Sequence, residues 1–226
     1  MAEIADRGLW LGPDSVASHR ADLAAFVDRA ARLDAAAVIR LRARSTGQFT
    51  AWTSTGLDVL ASRVVAGVVR PDDLSVGADE LAHGLAAMDS TDSSGYVNPG
   101  FPMDSAWRGA LPPDSGFTYL DDVPARLMLD LAQRGSELAK EHGSSQGPPV
   151  SLLDQEVIRV SAGGESVGVP MRCVFALTAM GFLPQDADAV DSDEIVRVRI
   201  LRAWLRIDAR FGSVYRRRGD PAVVLL

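Results

Sequence analysis

The chain has 226 residues, 47% hydrophobic and 23% charged, a globular composition with enough apolar material for one large domain or two small ones. Its net charge of −7 argues against nucleic acid as the partner of the whole surface. A single cysteine excludes an internal disulfide and an all-cysteine metal cage. No apolar run approaches the roughly 20 residues that span a bilayer, so we expect a cytoplasmic protein that makes no membrane contact.

The first part of the chain alternates between helical and extended patterns. Apolar residues recur at helical spacing from Val16 to Leu33, and apolar and polar residues then alternate from Ala37 to Arg44. A threonine- and aromatic-rich run over 49–55 and a valine-rich run over 57–69 follow, which predicts a three-stranded antiparallel meander. The sequence Pro71-Asp72-Asp73 is expected to end the meander.

A long segment without periodicity follows a short predicted helix, about Ala78 to Met88. Residues 89–120 are rich in glycine and proline, yet they also carry four aromatic residues, which a flexible linker would not need. We therefore expect an ordered connection whose rings dock on the core: Tyr96, Phe101, Trp107 and Phe117.

The next region contains signals for a helix, a hairpin and a second helix. The sequence Asp121-Asp122-Val123-Pro124 is typical of a helix cap and first turn. Extended runs at 156–161 and 166–169 flank a glycine pair, which predicts a hairpin, and Pro170 then opens a helix that continues to Leu183. The apolar face of the first helix is expected to consist of Leu127, Leu129, Leu131 and Leu138.

Alternation with a period of two dominates the last segment. It runs from Leu201 to Phe211, and residues 196–200 alternate in the opposite parity, so we predict strands joined by a β-bulge near Ile200-Leu201. Residues 222–226 are expected to add an edge strand. A helical alternative stays open, because four arginines also fall at helical spacing: Arg199, Arg202, Arg206 and Arg210.

These patterns together predict an α+β fold in which helices pack on antiparallel sheets, and two similar α/β halves are one arrangement that fits them. We divide the chain into an N-terminal region, residues 1–120, and a C-terminal region, residues 121–226. A boundary at 143–150, where serine, glycine and proline are concentrated, and a single domain stay open as alternatives.

The catalytic motifs that the sequence offers are incomplete. Residues 143–147 and 164–168 match the G-x-S-x-G pattern, but the nucleophile elbow of an α/β-hydrolase needs a histidine later in the chain. His142, the last of the three histidines, precedes both matches. We therefore favour a protein that is not an enzyme, and we expect no cofactor and no metal. An enzyme whose site gathers His83 or His142 with distant carboxylates stays open.

Basic residues are concentrated near the end of the chain. Residues 192–226 hold eight arginines against four acidic residues, a net charge of +4, and the rest of the chain carries −11. One hypothesis is a basic strand face that contacts phosphates or an acidic partner. The other is that these arginines pair with the protein's own acids or solvate an exposed sheet. The candidate anion- or partner-binding residues are Arg197, Arg199, Arg202, Trp204, Arg206, Arg210, Arg216, Arg217 and Arg218.

Two functions of different classes follow from these observations. The first is a non-enzymatic interaction or structural protein that binds another protein or its own copy through its sheet and its aromatic-bearing loop. The alternative is nucleic-acid binding through the arginine-rich segment. The helix of 169–183 followed by an arginine-rich hairpin has the order of a winged helix-turn-helix, although Arg172 is the only basic residue of that helix.

Four segments resemble an uncharacterised actinobacterial protein family: Trp107 with Leu111-Pro112-Pro113, Asp121-Asp122-Val123-Pro124-Ala125, the helix of 169–183, and Phe211 to Arg218. The resemblance covers most of the chain and implies a cytoplasmic protein of unknown function. It includes no catalytic motif, so it implies no active-site residue.

Overall fold

The structure is a computed structural model, and it describes residues 7–11, 16–45, 47–88, 94–142, 147–184, 190–191 and 193–219. Its contacts divide the chain into two units. Unit 1 comprises Met1–Gly56 and Ser62–Ala110, and unit 2 comprises Leu57–Ala61 and Leu111–Leu226. The predicted α+β class is confirmed, because each unit packs two helices on each other and on antiparallel strands.

Unit 1 contains strands β1 (Gly8–Leu11), β2 (Val38–Ala43), β3 (Gln48–Ser54), β4 (Leu60–Arg70), β5 (Asp73–Gly77) and β6 (Tyr96–Val97), with helix α1 (Val16–Leu33) after β1 and helix α2 (Ala78–Ala86) after β5. Neighbouring strands follow the order β5-β2-β3-β4, and β1 pairs antiparallel with β4 and β6. The predicted first helix and the three strands after it are confirmed. Helix α1 buries one face at helical spacing: Leu23, Phe26, Val27 and Ala30.

Strand β5 differs from the prediction that the meander ends at Pro71. Only two residues intervene between β4 and β5, and β5 pairs antiparallel with β2, with Leu74 opposite Leu41. Leu74 and Val76 are buried, but they alternate with Asp73 and a serine over only five residues. So short a run between turn-forming residues carries little periodicity, which explains why the sequence pattern missed it.

The segment after Asn98 covers the outer edge of β5. The Met103 amide donates to the Ser75 carbonyl at 2.7 Å, and the Ser75 amide donates to Asp104 Oδ1 at 2.7 Å. An uncovered edge strand offers its amides to other chains. The segment therefore satisfies backbone groups that β5 would otherwise expose, and the predicted ordered connection is confirmed over this stretch.

The aromatic rings of this connection behave differently from one another. Tyr96 packs against Trp10 with 5.4 Å between ring centroids, and Trp107 lies under the Arg40 guanidinium at 5.7 Å. Phe101 is 80% exposed, so the prediction that every ring docks on the core is wrong for this residue.

Unit 2 contains strands β7 (Thr118–Pro124), β8 (Glu156–Ala162), β9 (Glu165–Pro170), β10 (Ile195–Leu201), β11 (Trp204–Ala209) and β12 (Gly212–Arg217), with helices α3 (Ala125–His142), α4 (Val150–Leu153) and α5 (Met171–Ala179). The main sheet has the order β12-β11-β10-β7, and each of its neighbouring pairs is antiparallel. Strands β8 and β9 form a separate hairpin, as predicted.

Helix α3 begins later than predicted and buries a different face. Asp121-Asp122 belongs to β7, where it pairs with β10, and the helix starts at Ala125. Leu127 and Leu138 of the predicted apolar face are exposed. The buried positions recur every three or four residues and carry mostly small side chains, which allow close packing: Ala125, Met128, Ala132 and Gly135.

The last segment is extended, so the preferred prediction is confirmed and the helical alternative is wrong. Leu201 pairs with Trp204, which leaves Arg202-Ala203 as a two-residue turn. The apolar residues change from even to odd positions near residue 201. The turn accounts for this change, which was predicted to come from a bulge. A register shift does occur in β10, between Val198 and Arg199 in its pairing with β7. The edge strand predicted at 222–226 lies outside the described residues.

Candidate partner-binding surface

The main sheet of unit 2 has one buried and one polar face. Val196, Val198 and Ile200 of β10 are buried, as are Leu205 and Ile207 of β11. Side chains alternate along a strand, so the residues between them point to the opposite side. We call that side the arginine face. It consists of Arg197, Arg199, Trp204, Arg206, Asp208, Ser213, Tyr215 and Arg217, with Tyr119 and Asp122 of β7 at its edge.

Asp208 is the centre of the arginine face. Its Oδ1 lies 2.6 Å from Arg206 Nε and its Oδ2 lies 3.0 Å from Arg199 Nε. The Ser213 hydroxyl also donates to Asp208 Oδ1, at 2.5 Å. The contacts of Arg206 and Ser213 are charge-assisted hydrogen bonds, which are stronger than neutral ones, and Arg199 adds an ion pair. One carboxylate on β11 therefore fixes side chains from all three of the strands β10, β11 and β12.

Two aromatic rings further restrain Arg206. Its guanidinium carbon lies 5.6 Å from the centroid of Phe117 and 5.4 Å from that of Tyr215. The two rings contact each other edge to face, with 6.0 Å between centroids. These are the distances of cation–π and aromatic pairs, so the position of Arg206 is set by packing as well as by Asp208.

Tyr119 lies at the open edge of the arginine face. It is opposite Arg199 in the pairing of β7 with β10, and it is 47% exposed. Partial removal of water and the neighbouring Asp122 carboxylate raise the pKa of Tyr119, so its hydroxyl stays protonated. Asp122 also lies 3.7 Å from Arg197.

Cations exceed anions on the arginine face. It carries four arginines, Arg197, Arg199, Arg206 and Arg217, against the carboxylates of Asp122 and Asp208. Arg217 is exposed and makes no ion pair with any residue that the structure describes. A surface of arginines, two of which Asp208 holds in place, with a partly exposed tyrosine has the composition of protein-binding hot spots.

Three arginines of the predicted site lie outside the arginine face. Arg202 is exposed in the turn between β10 and β11, and Arg210 pairs with Glu194 at 3.3 Å. Arg218 Nη1 donates to the Leu201 carbonyl at 3.4 Å. Trp204 is opposite Arg217 on the arginine face, but it is only 8% exposed, so its ring is not available to stack on a ligand.

Arg216 faces away from its neighbour Arg217. Its Nη2 lies 3.1 Å from Asp154 Oδ1, and the same oxygen lies 2.5 Å from Arg172 Nη2. Arg172 Nη1 donates to the Leu57 carbonyl at 2.7 Å. The run 216–218 is therefore split between two faces of the sheet and does not form one basic surface.

Helix α5 is not a recognition helix. Six of its nine residues are buried, including Arg172, its only basic residue. A helix that reads a DNA groove must present several polar side chains to the bases and phosphates. Residues 171–179 therefore form a core helix, and they give no support to the winged-helix alternative.

Among the described residues, the G-x-S-x-G match at 164–168 forms no catalytic cluster. Ser166 is exposed on β9 and bonds only the Ser161 hydroxyl, at 3.0 Å, and the other G-x-S-x-G match lies largely outside the described residues. Burial raises the pKa of the Cys173 thiol to about 12, which leaves it unreactive. Over the described ranges, no three His, Cys, Asp or Glu side chains lie close enough together to hold a metal ion. No helix in these ranges is long and apolar enough to cross a membrane.

Sequence reasoning did not place Asp208 or Tyr119 at the site, and it named Phe117 only as a ring of the long connection. Asp208 had a signal, because it is the one acid among the alternating arginines of 202–210. Tyr119 and Phe117 had none, since they precede β10 by more than seventy residues in the sequence. Only the pairing of β7 with β10 brings Tyr119 to Arg199.

The two units have the fold of bacterial DNA sliding clamps. A protein described as a DNA polymerase III beta subunit, from Eubacterium rectale, matches 96% of this chain with a TM-score of 0.56 and 11% identity. A DNA polymerase III subunit beta from Pseudomonas aeruginosa matches 89% of this chain with a TM-score of 0.53 and 14% identity. The Caulobacter crescentus pol III beta matches 90% of this chain with a TM-score of 0.51 and 12% identity. This chain spans 66%, 63% and 65% of those chains. Likeness at these identities shows the fold alone.

Both parts of the sequence also match families. Residues 5–109 match DUF8010, a domain of unknown function, and residues 112–221 match DUF8185, another domain of unknown function. The predicted resemblance to proteins of unknown function is confirmed to that extent, and the actinobacterial origin stays a prediction. No curated protein matches the chain.

Proposed function

We propose that this protein is not an enzyme and that it binds a protein partner through the arginine face of unit 2. The observation that carries the proposal is the network of Asp208 with Arg199 and Arg206. Side chains that are fixed before binding lose little conformational entropy when a partner arrives. The arginine face is therefore preorganised for binding.

The surplus of positive charge defines the chemistry of the partner. An acidic segment would complement Arg197 and Arg217, and its apolar side chains would pack on Tyr119. Such complementarity raises the association rate and rejects basic partners. The protein's own net charge of −7 does not oppose this contact, because the arginine face is locally cationic.

Nucleic acid is the second candidate, because Arg202 and Arg217 are exposed cations that make no ion pair with any described residue. One feature weighs against it: the ring of Trp204, the aromatic residue that lies among the arginines in the sequence, is buried and cannot stack on bases. Titration of labelled single- and double-stranded DNA and of RNA at several salt concentrations separates the candidates. Phosphate contacts give an affinity that falls steeply with salt, whereas the proposal predicts no tight binding to any of the three.

Affinity purification from the source cell tests the proposal itself. The double variant Arg197→Glu/Arg217→Glu is compared with the unmodified chain and with Arg32→Glu/Arg108→Glu, which makes the same charge change at exposed sites of unit 1. We expect a partner protein that is retained by the unmodified chain and the control, and reduced about tenfold or more in the face variant. Equal recovery from all three chains would contradict the proposal.

A further inference from the structure

Helix α3 exposes a row of leucines on its surface. Residues at successive spacings of four, three and four lie on one face of a helix. On α3 these positions are Leu127, Leu131, Arg134 and Leu138, which we call the leucine stripe. Leu127 is 42% exposed and Leu138 is 43% exposed, and α3 packs within unit 2 through other positions. Leucines in this pattern are typical of a helix that packs against a second helix.

An apolar groove lies at one end of the leucine stripe, between α3 and the short helix α4. It has a volume of about 340 Å³ and is lined by Leu138, Pro149, Ser151, Leu152 and Gln155. These residues carry no charge, so the groove suits an apolar occupant. A cavity of about 150 Å³ already admits benzene, and this groove therefore has room for a leucine side chain.

The other end of the leucine stripe carries such a side chain. Leu127 precedes Leu138 by three turns of the helix, a distance of about 16 Å along its axis. Two copies of α3 that pack antiparallel bring the Leu127 end of one copy to the Leu138 end of the other. Two-fold symmetry then repeats the contact, because each copy carries both the leucine and the groove that accepts it. The surface is self-complementary.

Two charged residues on the same side of α3 complement each other in this arrangement. Asp130 and Arg134 are exposed, and neither makes an ion pair with any residue that the structure describes. With Leu127 opposite Leu138, antiparallel packing places Asp130 of one copy near Arg134 of the second copy, and the reverse. Parallel packing would place Arg134 beside its own counterpart. Opposite charges across a helix pair set its orientation, so they favour the antiparallel pair.

We propose that two copies of this protein form a symmetric dimer in which their α3 helices pack antiparallel and Leu127 of each copy occupies the groove of the other. Helix α3 packs on α5, because a Cβ at Gly135 would meet Phe175. Arg172 of α5 shares Asp154 with Arg216, which is on the opposite side of β12 from the arginine face. The dimer therefore leaves that face open, and the inference does not depend on the proposed function.

Disulfide trapping between two variants of the full chain tests the register. Cys173 is buried and unreactive, so Leu127→Cys and Leu138→Cys each have one accessible thiol. We expect mild oxidation of their mixture to give mainly the mixed disulfide dimer. Like positions lie about 16 Å apart along an antiparallel pair, whereas a disulfide joins Cα atoms about 4.4–6.8 Å apart.

A leucine of unit 1 supplies the control for the trapping experiment. Leu33 of α1 is 39% exposed, so Leu33→Cys offers a thiol of similar access outside the leucine stripe. Its mixture with Leu138→Cys should give no excess of the mixed dimer. If Leu127→Cys and Leu138→Cys gave no disulfide, or mixed dimers at only the random proportion, the proposal would be overturned.

Sedimentation of further variants measures the dimer without a disulfide. Interfaces of this small size bind weakly, so the chain is studied from about 10 to 500 µM. We expect Leu127→Gln and Arg134→Asp each to weaken the dimer about tenfold, whereas Leu33→Gln leaves it unchanged. The exchange Asp130→Arg/Arg134→Asp should restore the dimer, because it pairs the charges again. A monomer throughout this range, or an exchange variant as weak as Arg134→Asp, overturns the proposal.

Discussion

Asp208 is the residue on which the arginine face depends most. Its replacement by alanine removes the hydrogen-bond acceptor of Arg206 and Ser213 and the ion-pair partner of Arg199 together. Hydrogen bonds to charged groups contribute about 1.5–3 kcal/mol each, and partial exposure lowers that figure. We expect Asp208→Ala to lower the free energy of unfolding by about 2 kcal/mol, measured by urea denaturation.

Asp122 provides the matched control for this variant. It lies 3.7 Å from Arg197, whose side chain is more than half exposed. Exposed pairs contribute little, so Asp122→Ala should change the free energy of unfolding by about 0.5 kcal/mol or less. Equal effects of the two substitutions would show that Asp208 does not organise the face.

Cys173 makes a pH-dependent contribution to stability. Burial raises the pKa of its thiol from 9.0 to about 12. The unfolded chain therefore loses this proton first, and the stability due to the neutral thiol is present below pH 9 and lost as the pH rises toward 12. The advantage of the unmodified chain over Cys173→Ala should shrink by about 1 kcal/mol between pH 9 and pH 10 in urea denaturation. A constant difference would contradict the buried thiol.

At the scale of elements, long periodic patterns were readable and short ones were not. The 18 residues of α1 and the alternating strands β10 and β11 followed from periodicity. The sequence pattern missed the turn at Arg202-Ala203. Neither residue has a positive φ, so neither position requires a glycine or an asparagine. The turn therefore lacks the Asn-Gly signature that marks the commonest two-residue hairpin turns.

The arginine face could be predicted only in part for a related reason. Composition identified the arginines, but the sequence does not state which neighbours they pair with. Arg216 and Arg217 are adjacent in sequence and yet point to opposite faces of β12, and Arg216 pairs with Asp154, 62 residues away. Such pairings depend on strand register and helix packing, which a single sequence leaves open.

Two helical glycines give a prediction about how the helices pack. A Cβ at Gly84 of α2 would lie 1.9 Å from the backbone carbonyl oxygen of Asn98, whereas at Gly135 of α3 it would meet the ends of the Met171 and Phe175 side chains at 2.9 Å. Alanine gains about 1 kcal/mol of helix propensity at either site. We expect Gly84→Ala to lower the free energy of unfolding by about 1–3 kcal/mol and Gly135→Ala to be close to neutral.

Thermal unfolding of the two glycine variants measures this difference. The ends of the Met171 and Phe175 side chains can shift to admit a methyl group at position 135. The Asn98 backbone can admit one at position 84 only if the segment that covers the edge of β5 moves with it. If Gly84→Ala were as stable as Gly135→Ala, the close approach of α2 to Asn98 would be wrong.

At the scale of the whole molecule, unit 2 is discontinuous in sequence. It includes Leu57–Ala61, of which Val59 and Ala61 are buried and Leu57 accepts a hydrogen bond from Arg172. A fragment of residues 111–226 lacks this segment, so Nη1 of the buried Arg172 loses its acceptor while Nη2 keeps Asp154. We expect the fragment to lose about 3 kcal/mol or more of stability, and a peptide of residues 55–64 to restore part of it in trans.

Calorimetry of the fragment with and without the peptide measures that effect. A sharp unfolding transition at the same temperature in both samples would contradict the assignment of 57–61 to unit 2. The division predicted after residue 120 stays a prediction. The clamp fold itself was beyond sequence reasoning, because this chain shares only 11–14% identity with the clamp structures described above.

Site-specific photocrosslinking in the source cell tests most directly whether the arginine face binds a protein. A photoreactive phenylalanine replaces Tyr119 on the face or, as the control, the exposed Phe101 of unit 1. We predict a crosslinked product from position 119 that is digested by protease, resists nuclease and disappears with Arg197→Glu/Arg217→Glu. A product that nuclease removes, or equal products from both positions, would contradict the account.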